Sequence, residues 1–420
     1  MDAIYNDLKN GKIKSYNLET IIFEKTGNWE EANTKAAKLR LRFLEEKTGK
    51  KFEAIKSHYT DTSDSEKNTT GIEQQIGGAV VPLGFAGPLK INGDYVKGEF
   101  YIPVATNEAA LIAGLSRGIS TVNKSGGIKT VLKHDGMARA PLIETPDIEY
   151  AKNVSDEIKA KGELFQSMKV EAEKESRVTK LIEIQPFQLG RFVHLRFVFQ
   201  TGDSMGMNSA TRYAANAIKF LITKYPEVKL KSLTANLCSD KKNTHINVLL
   251  GRGKSIETEV IIPREIIEKT YGIKIEDLVE LNQLKNNQGS ALAGTISGFN
   301  ANVANTIAAV FIATGQDAAQ ITESASAFTR AEIKDDKLIF GCTFPCLEVA
   351  TVGGGAGFKT AKECLEILGC SGPGKNPGDN ARKLAEIIAA AATAQDLNLL
   401  GAEAHGYELA DSHISLARGK

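Results

Sequence analysis

The sequence predicts a multidomain protein of mixed α/β and α+β class. It has a helical N-terminal region, a large α/β domain, and a smaller α/β unit inserted in the large one. Three observations lead there. At roughly 150 residues per domain, the 420 residues allow two or three domains. The composition, 42% hydrophobic and 25% charged, is that of a globular chain and excludes a disordered or fibrous one. The texture also changes along the chain. Glycine- and proline-rich text begins near Ile72, gives way between Ile148 and Leu230 to strands alternating with helices, and returns at Leu233.

The elements follow in order. Ala32 to Thr48 carries apolar residues at helical spacing among Lys, Arg and Glu, so the first 70 residues read as helical. Lys56 to Thr70 is polar and without period, which reads as a linker. Ile72 to Asn92 reads as short strands and turns. Asp94 to Val104 alternates as a strand does, and Ala109 to Ile119 reads as a helix. In the middle of the chain a charged helix (Ala151 to Ser167) leads to Leu181–Phe187. The strand Phe192 to Gln200 and the helix Ser209 to Lys224 follow. Two Ala-rich helices, Ala301 to Ala313 and Ala381 to Leu400, belong to the last third. The boundaries predicted are 1–70, then 71–140 with 234–420, interrupted by 141–233.

Charge and cysteine usage exclude several classes. The 52 Lys and Arg against 51 Asp and Glu leave +1, without the basic excess of a general nucleic-acid binder. The N-terminus has no apolar core of signal-peptide length, and Ile307–Ala313 and Leu384–Ala394 are too short or too interrupted to span a bilayer. No membrane and no nucleic acid are therefore expected. Five cysteines fit reduced thiols and a cytoplasmic location. Neither Cys342/Cys346 nor Cys364/Cys370 is followed by a second pair at zinc spacing, so no metal is expected.

Five segments place polar residues among small ones. In ATNEAALIAGLSRG, Glu108 falls at the expected helix start, where it could simply complement the helix dipole. TGDSMGMNSATR ends a strand and opens a helix near Asn208 or Ser209. That geometry suits a phosphate or cofactor, although Asp203 would repel phosphate and better meets an amide or hydroxyl. GGGAGF lacks the third glycine of a dinucleotide fingerprint, which disfavours an ordinary Rossmann site. NLCSDKKNTHIN sets Lys241 beside Lys242, either a solvated pair or a reactive one. TGQDAAQ holds Asp317 in apolar surroundings, where a buried carboxylate would want a cation such as Lys241. The tail ADSHISLARGK carries His413. Together Glu, Lys, Asp and His suit the reduction of a carbonyl. A cation holds the oxyanion, an acid protonates it, and an imidazolium protonates a leaving thiolate.

With these segments in this order, the chain from about Gly71 to Lys420 resembles the 3-hydroxy-3-methylglutaryl-coenzyme A (HMG-CoA) reductase family, class I-like and limited to the catalytic portion. EQQIGGAVVPLGFAGPL resembles the family's CoA-thioester motif, with Glu73 as its acidic residue. GDSMGMN resembles the nicotinamide motif, and NLCSDKK the class I lysine loop. The resemblance implies a large HMG-CoA domain and an inserted ferredoxin-like cofactor domain. It makes Glu108, Lys241, Asp317 and His413 catalytic. Glu73, Arg139, Asp240, Lys242, Lys285 and Asn305 become substrate-side residues. Ser176, Arg177, Asp203, Met205, Gly206, Met207, Asn208 and Arg418 become cofactor residues. An arginine at 177 suits a 2′-phosphate, which favours NADPH over NADH.

The implied reaction takes (S)-HMG-CoA to (R)-mevalonate and CoA by two hydride transfers, in a homodimer or tetramer whose sites lie between subunits. As a proton donor Glu108 would need a raised pKa, against the helix start and helped by desolvation and Asp317. The tail would fold over the pocket. Gly419 stands where eukaryotic members carry a phosphorylatable Ser, and their membrane anchor has no counterpart here. Two alternatives remain open: an NADH-linked class II enzyme working in the catabolic direction, and a CoA-thioester binder without redox activity.

Overall fold

The computed structural model describes residues 1–53 and 72–417. The predicted linker at 56–70 and Arg418 lie outside the described residues. The chain divides into two compact units, Met1–Pro82 and Leu83–Lys420.

In the first unit three helices, Asp2–Lys9, Leu18–Thr26 and Trp29–Thr48, pack around Tyr5, Leu18, Ile22 and Ala36. Sequence punctuation sets their ends. Gly27 and Gly49 take left-handed backbone (φ 67° each) at two C-termini, and the Asn28 side chain accepts from Glu30 N and Glu31 N. Glu73 belongs to this unit and is exposed.

The second unit is a mixed helix and sheet fold. Ten strands are described: β1 (Leu83–Asn92), β2 (Lys97–Ala105), β3 (Ile128–Arg139), β4 (Leu142–Glu144), β5 (Lys180–Leu189), β6 (Phe192–Gln200), β7 (Lys229–Ser232), β8 (Gly253–Pro263), β9 (Phe328–Lys334) and β10 (Lys337–Leu347). Their order is β7-β4-β6-β3-β8-β10-β9, with β1 on β2 and β3, and β5 on β6. β3 belongs to two neighbourhoods. Lys129 to Gly136 pair with β8, and Met137 to Arg139 pair with β6. Two cores result. One gathers Leu115, Ile119, Ile307, Phe340 and Leu397. The other gathers Ile143, Val154, Leu181, Phe197, Ala214 and Leu221.

The 26-residue helix Asp379–Ala404 runs through the first core, buried on nearly all sides. Its stretch 387–392 is apolar all round, as suits a helix inside a core. Its alanines allow close neighbours: a Cβ added at Gly118, on the helix Leu111–Lys124, would collide with the Ala394 carbonyl oxygen. Among the described residues no helix is long and apolar enough to cross a membrane.

Two elements differ from expectation. The helix predicted over 151–167 is two helices, Ile148–Lys159 and Glu163–Glu173. Lys161 takes left-handed backbone (φ 54°) and Gly162 starts the second, a break that charge patterning does not announce. The helix after Glu108 begins only at Leu111, because Ala110 is left-handed (φ 71°) at its N-cap. Glu108 therefore precedes the helix instead of sitting in its first turn.

Candidate active site

The Lys241 loop is built from strained backbone. Asn236, Ser239 and Lys241 have φ of 61°, 52° and 59°. For residues with a Cβ this conformation costs roughly 1–2 kcal/mol each, so the surroundings must hold it. They do: the Lys241 backbone N–H donates to Glu323 Oε1, and Asn247 Nδ2 bridges Ser239 O (3.3 Å) and Glu323 Oε2 (2.8 Å). The Lys241 side chain is exposed, and its Nζ lies 3.1 Å from Asp317 Oδ2. Asp317 also caps the short turn after it, accepting from Ala319 N at 3.0 Å. The cation that the sequence asks for beside Asp317 is thus Lys241. Lys242 is exposed, with Nζ 3.1 Å from the Asp240 carbonyl oxygen.

Beneath the loop lies a cluster of charge. Arg252, fully buried, meets Glu323 (2.8 Å), Glu348 and Asp240 (3.3 Å). Arg139, also buried, has NH1 3.6 Å from Asp240 Oδ2 and NH2 3.4 Å from Met207 O. Burial works to raise the Asp240 pKa, but the bond from Gln320 and the charges of Arg252, Arg139 and Lys241 hold it below the usual range. Burial, reinforced by the Glu323 charge and opposed by Arg252, keeps Glu348 well above that range. Three carboxyls thus face two guanidiniums, and burial favours the neutral form of Glu348.

A second polar cluster lines a cavity of about 500 Å³ among Glu108, Arg117, Lys285, Asn305, Asn398 and Glu403. Asn305 Nδ2 donates to both Glu108 oxygens, at 3.1 and 2.9 Å. Glu108 itself is exposed, and its N–H donates to Thr106 Oγ1 at 2.9 Å. Asn305 is presented by the helix Val303–Ala313. The entry to that helix is pinned by buried Asp396, which accepts from Ala301 N (2.9 Å), Asn302 N (2.8 Å) and Thr329 Oγ1 (2.5 Å). Lys285 lies in a π-helical stretch, Asn282–Gly289, a wide turn often found at functional sites. It pairs with Glu403 at 2.8 Å. Among the described residues, hydrogen bonds and ion pairs tie Glu108 to Asn305 and Lys241 to Asp317, and none joins one pair to the other.

The family model for hydroxymethylglutaryl-coenzyme A reductase matches residues 36–418. The chain belongs to that family. It is 42% identical to the 3-hydroxy-3-methylglutaryl-coenzyme A reductase of Pyrococcus horikoshii, over 100% of this chain and 98% of that one. With the reductase of Methanocaldococcus jannaschii it shares 42% over 99% of each chain. Against reductase 2 of Capsicum annuum identity is 38%, over 99% of this chain and 67% of that one. Among solved structures, the class II reductase from Streptococcus pneumoniae, bound to NADPH in open conformations, superposes with TM-score 0.61 at 18% identity, covering 78% of this chain and 86% of that chain. That likeness shows a shared fold.

In this HMG-CoA reductase family member the GDSMGMN segment opens the helix Met207–Lys224. Gly206 is left-handed (φ 86°) at the N-cap and no side chain caps the helix. Met205 and Gly206 are half-buried, Met207 is buried against Arg252, and Asn208 is exposed. Asp203 is turned away from this helix start. Its carboxylate accepts from Gly374 N, Gly378 N and Ala381 N, each at 3.0 Å, so it anchors the start of the Asp379–Ala404 helix. Ser176 Oγ accepts from Val178 N (3.2 Å) and Thr179 N (2.7 Å), which leaves Arg177 exposed at the tip of a tight turn. His413 lies in the helix Glu408–Ala417. Glu408 of that helix bonds Arg117. All five cysteines are buried and unpaired.

Sequence reasoning missed Arg252, Glu323 and Glu348, as well as Arg117 and Glu403. The signal was available for Arg252 and Glu348. Each is a charge inside apolar text, LLGRGKSI and PCLEVATV, and such charges are buried only with partners.

Proposed function

We propose that this family member reduces (S)-HMG-CoA to (R)-mevalonate and CoA with NADPH. The observation that carries the reading is the Lys241 ammonium, 3.1 Å from Asp317 on a loop whose backbone is gripped from below. A fixed cation beside a carboxylate suits the stabilisation of a developing oxyanion.

The nicotinamide supplies a hydride in each of two reductions. In the first, Lys241 holds the thioester oxygen as it becomes negative, and Glu108 gives it a proton to form the hemithioacetal. The hemithioacetal hydroxyl then returns its proton to Glu108 as the C–S bond breaks, the sulfur takes a proton from His413, and an aldehyde remains. In the second, Lys241 and Glu108 repeat their roles on the aldehyde oxygen. Lys285, Arg139, Asp240, Lys242 and Glu73 serve the substrate.

The chain's residues fit a phosphorylated nicotinamide cofactor. The helix start at Met207 offers free backbone N–H groups, the Asp203 carboxylate is taken up by three backbone amides, and Arg177 is exposed. We infer that residues 141–233 form the ferredoxin-like cofactor domain, a reading supported by their separate core. A homodimer or tetramer would bring the Glu108 and Lys241 half-sites together.

The test is consumption of NADPH and of NADH with HMG-CoA, on wild type, Lys241→Ala and Arg177→Ala. The expected result is two NADPH oxidised per CoA released, with turnover at least about 100-fold lower for Lys241→Ala. Arg177→Ala should raise KM for NADPH about tenfold or more and leave that for NADH unchanged. Turnover with NADH alone would move the chain to the catabolic alternative.

A further inference from the structure

We propose that Glu323 is a positioning residue for this reaction: its carboxylate, held by Arg252, grips the backbone N–H of Lys241 and so fixes where the Lys241 ammonium points. The inference rests on the reductase reading above.

The argument begins with geometry. One short segment, from Asp317 to Glu323, holds the lysine loop at three points. Asp317 takes the Lys241 ammonium at 3.1 Å. Gln320 Nε2 donates to Asp240 Oδ1 at 2.9 Å. Glu323 takes the Lys241 backbone N–H on one oxygen and Asn247 Nδ2 on the other. Lys241 is thus held at both ends, main chain and ammonium, by two carboxylates of the same segment.

The grip has to be strong. Lys241 is exposed along its side chain and left-handed in its backbone (φ 59°), so neither packing nor intrinsic preference keeps it in place. A lysine side chain is long and flexible, and its reach is only as well defined as the Cα that carries it. A charge-assisted hydrogen bond to a buried carboxylate is the kind that can hold such a backbone.

Glu323 is itself fixed. It is fully buried, 2.8 Å from Arg252 NH1. Arg252 is shared with Asp240, the residue before Lys241, and its NH2 lies against Met207 Sδ. The hub therefore joins the lysine loop to the GDSMGMN segment. A shift of Arg252 would move both together.

The experiment uses the full chain with Glu323→Ala and Glu323→Gln. Amide hydrogen exchange over residues 236–243 is read by mass spectrometry, beside kinetics with HMG-CoA and NADPH. In Glu323→Ala, exchange over 236–243 should quicken about 10–100-fold while the buried Asp379–Ala404 helix stays protected, and kcat should fall about 10–100-fold. The KM for HMG-CoA should stay within about threefold, since a misplaced lysine loses transition-state contact before ground-state binding. Glu323→Gln keeps an oxygen acceptor and should recover most of both effects. It also stays readable should the Ala variant fail to fold. Unchanged exchange over 236–243 in a folded Ala variant overturns the proposal. So does a kcat loss matched by loss of protection throughout and not eased by Gln, which would make Glu323 merely structural. A wild type that does not turn over HMG-CoA would sink the reductase reading instead, and the exchange result would still decide whether Glu323 holds Lys241.

Discussion

Asn305 donates its side-chain amide to both carboxylate oxygens of Glu108, at 3.1 and 2.9 Å. The residue proposed as proton donor is thus aimed by a neutral partner on another helix, and not by the helix that follows it in sequence. The entry to the Asn305 helix is in turn pinned by Asp396, so the aim derives from the core.

Removing that aim should cost activity more than stability. Asn305→Ala takes away two hydrogen bonds to the Glu108 carboxyl, which is on an exposed side chain, and turnover of HMG-CoA should fall about 10–100-fold. The thermal midpoint should move by no more than about 2 °C. Asn305→Asp should not restore activity, because an aspartate has no N–H to donate to Glu108. Unchanged turnover in Asn305→Ala would remove Asn305 from the site.

Asp203 should behave as an anchor. Asp203→Ala leaves three backbone N–H groups without their acceptor, at a cost of about 1–3 kcal/mol for each that stays buried. A lowered thermal midpoint is expected, with Asn milder than Ala because it keeps one carbonyl oxygen. KM for the cofactor should rise alongside, since the turn ahead of Met207 loses its tie. A KM effect with an unchanged midpoint would mean that Asp203 acts on the cofactor directly.

Glu386 gives a pH dependence of stability. Burial pushes its carboxyl up to about 7, with the Asp94 charge adding to the rise, while bonds from Tyr95 N–H and Thr130 oppose it. The unfolded chain would titrate this group near ~4.3. The folded state holds the proton better, so this contribution is complete below ~4.3 and is lost as pH rises through about 7. Glu386→Gln cannot ionise and keeps it. The thermal midpoint of the variant relative to wild type should therefore rise between about pH 5 and pH 8. A difference that stays flat across that range would refute it.

Much of this protein was legible in its sequence. The strand at Phe192–Gln200 and the long alanine-rich helix follow from periodicity and residue type alone, because those signals are local. The segments bearing Glu108, Lys241 and Asp317 stood out as polar text among small residues. Their order carried the resemblance to the family.

Tertiary structure decided the rest. That Glu108 stands outside its helix depends on a left-handed Ala110, and that the middle helix breaks depends on Lys161, a residue type that would ordinarily continue it. The wide turn at Lys285 has no local signature either. The charge hub is the plainest case. Arg252, Glu323 and Glu348 are far apart in sequence, and each would be solvated on its own. Only the fold brings them together where all three are buried, and there each must be paired. Local preference reaches a few residues along the chain. Burial of a charge depends on who is opposite, and only packing settles that.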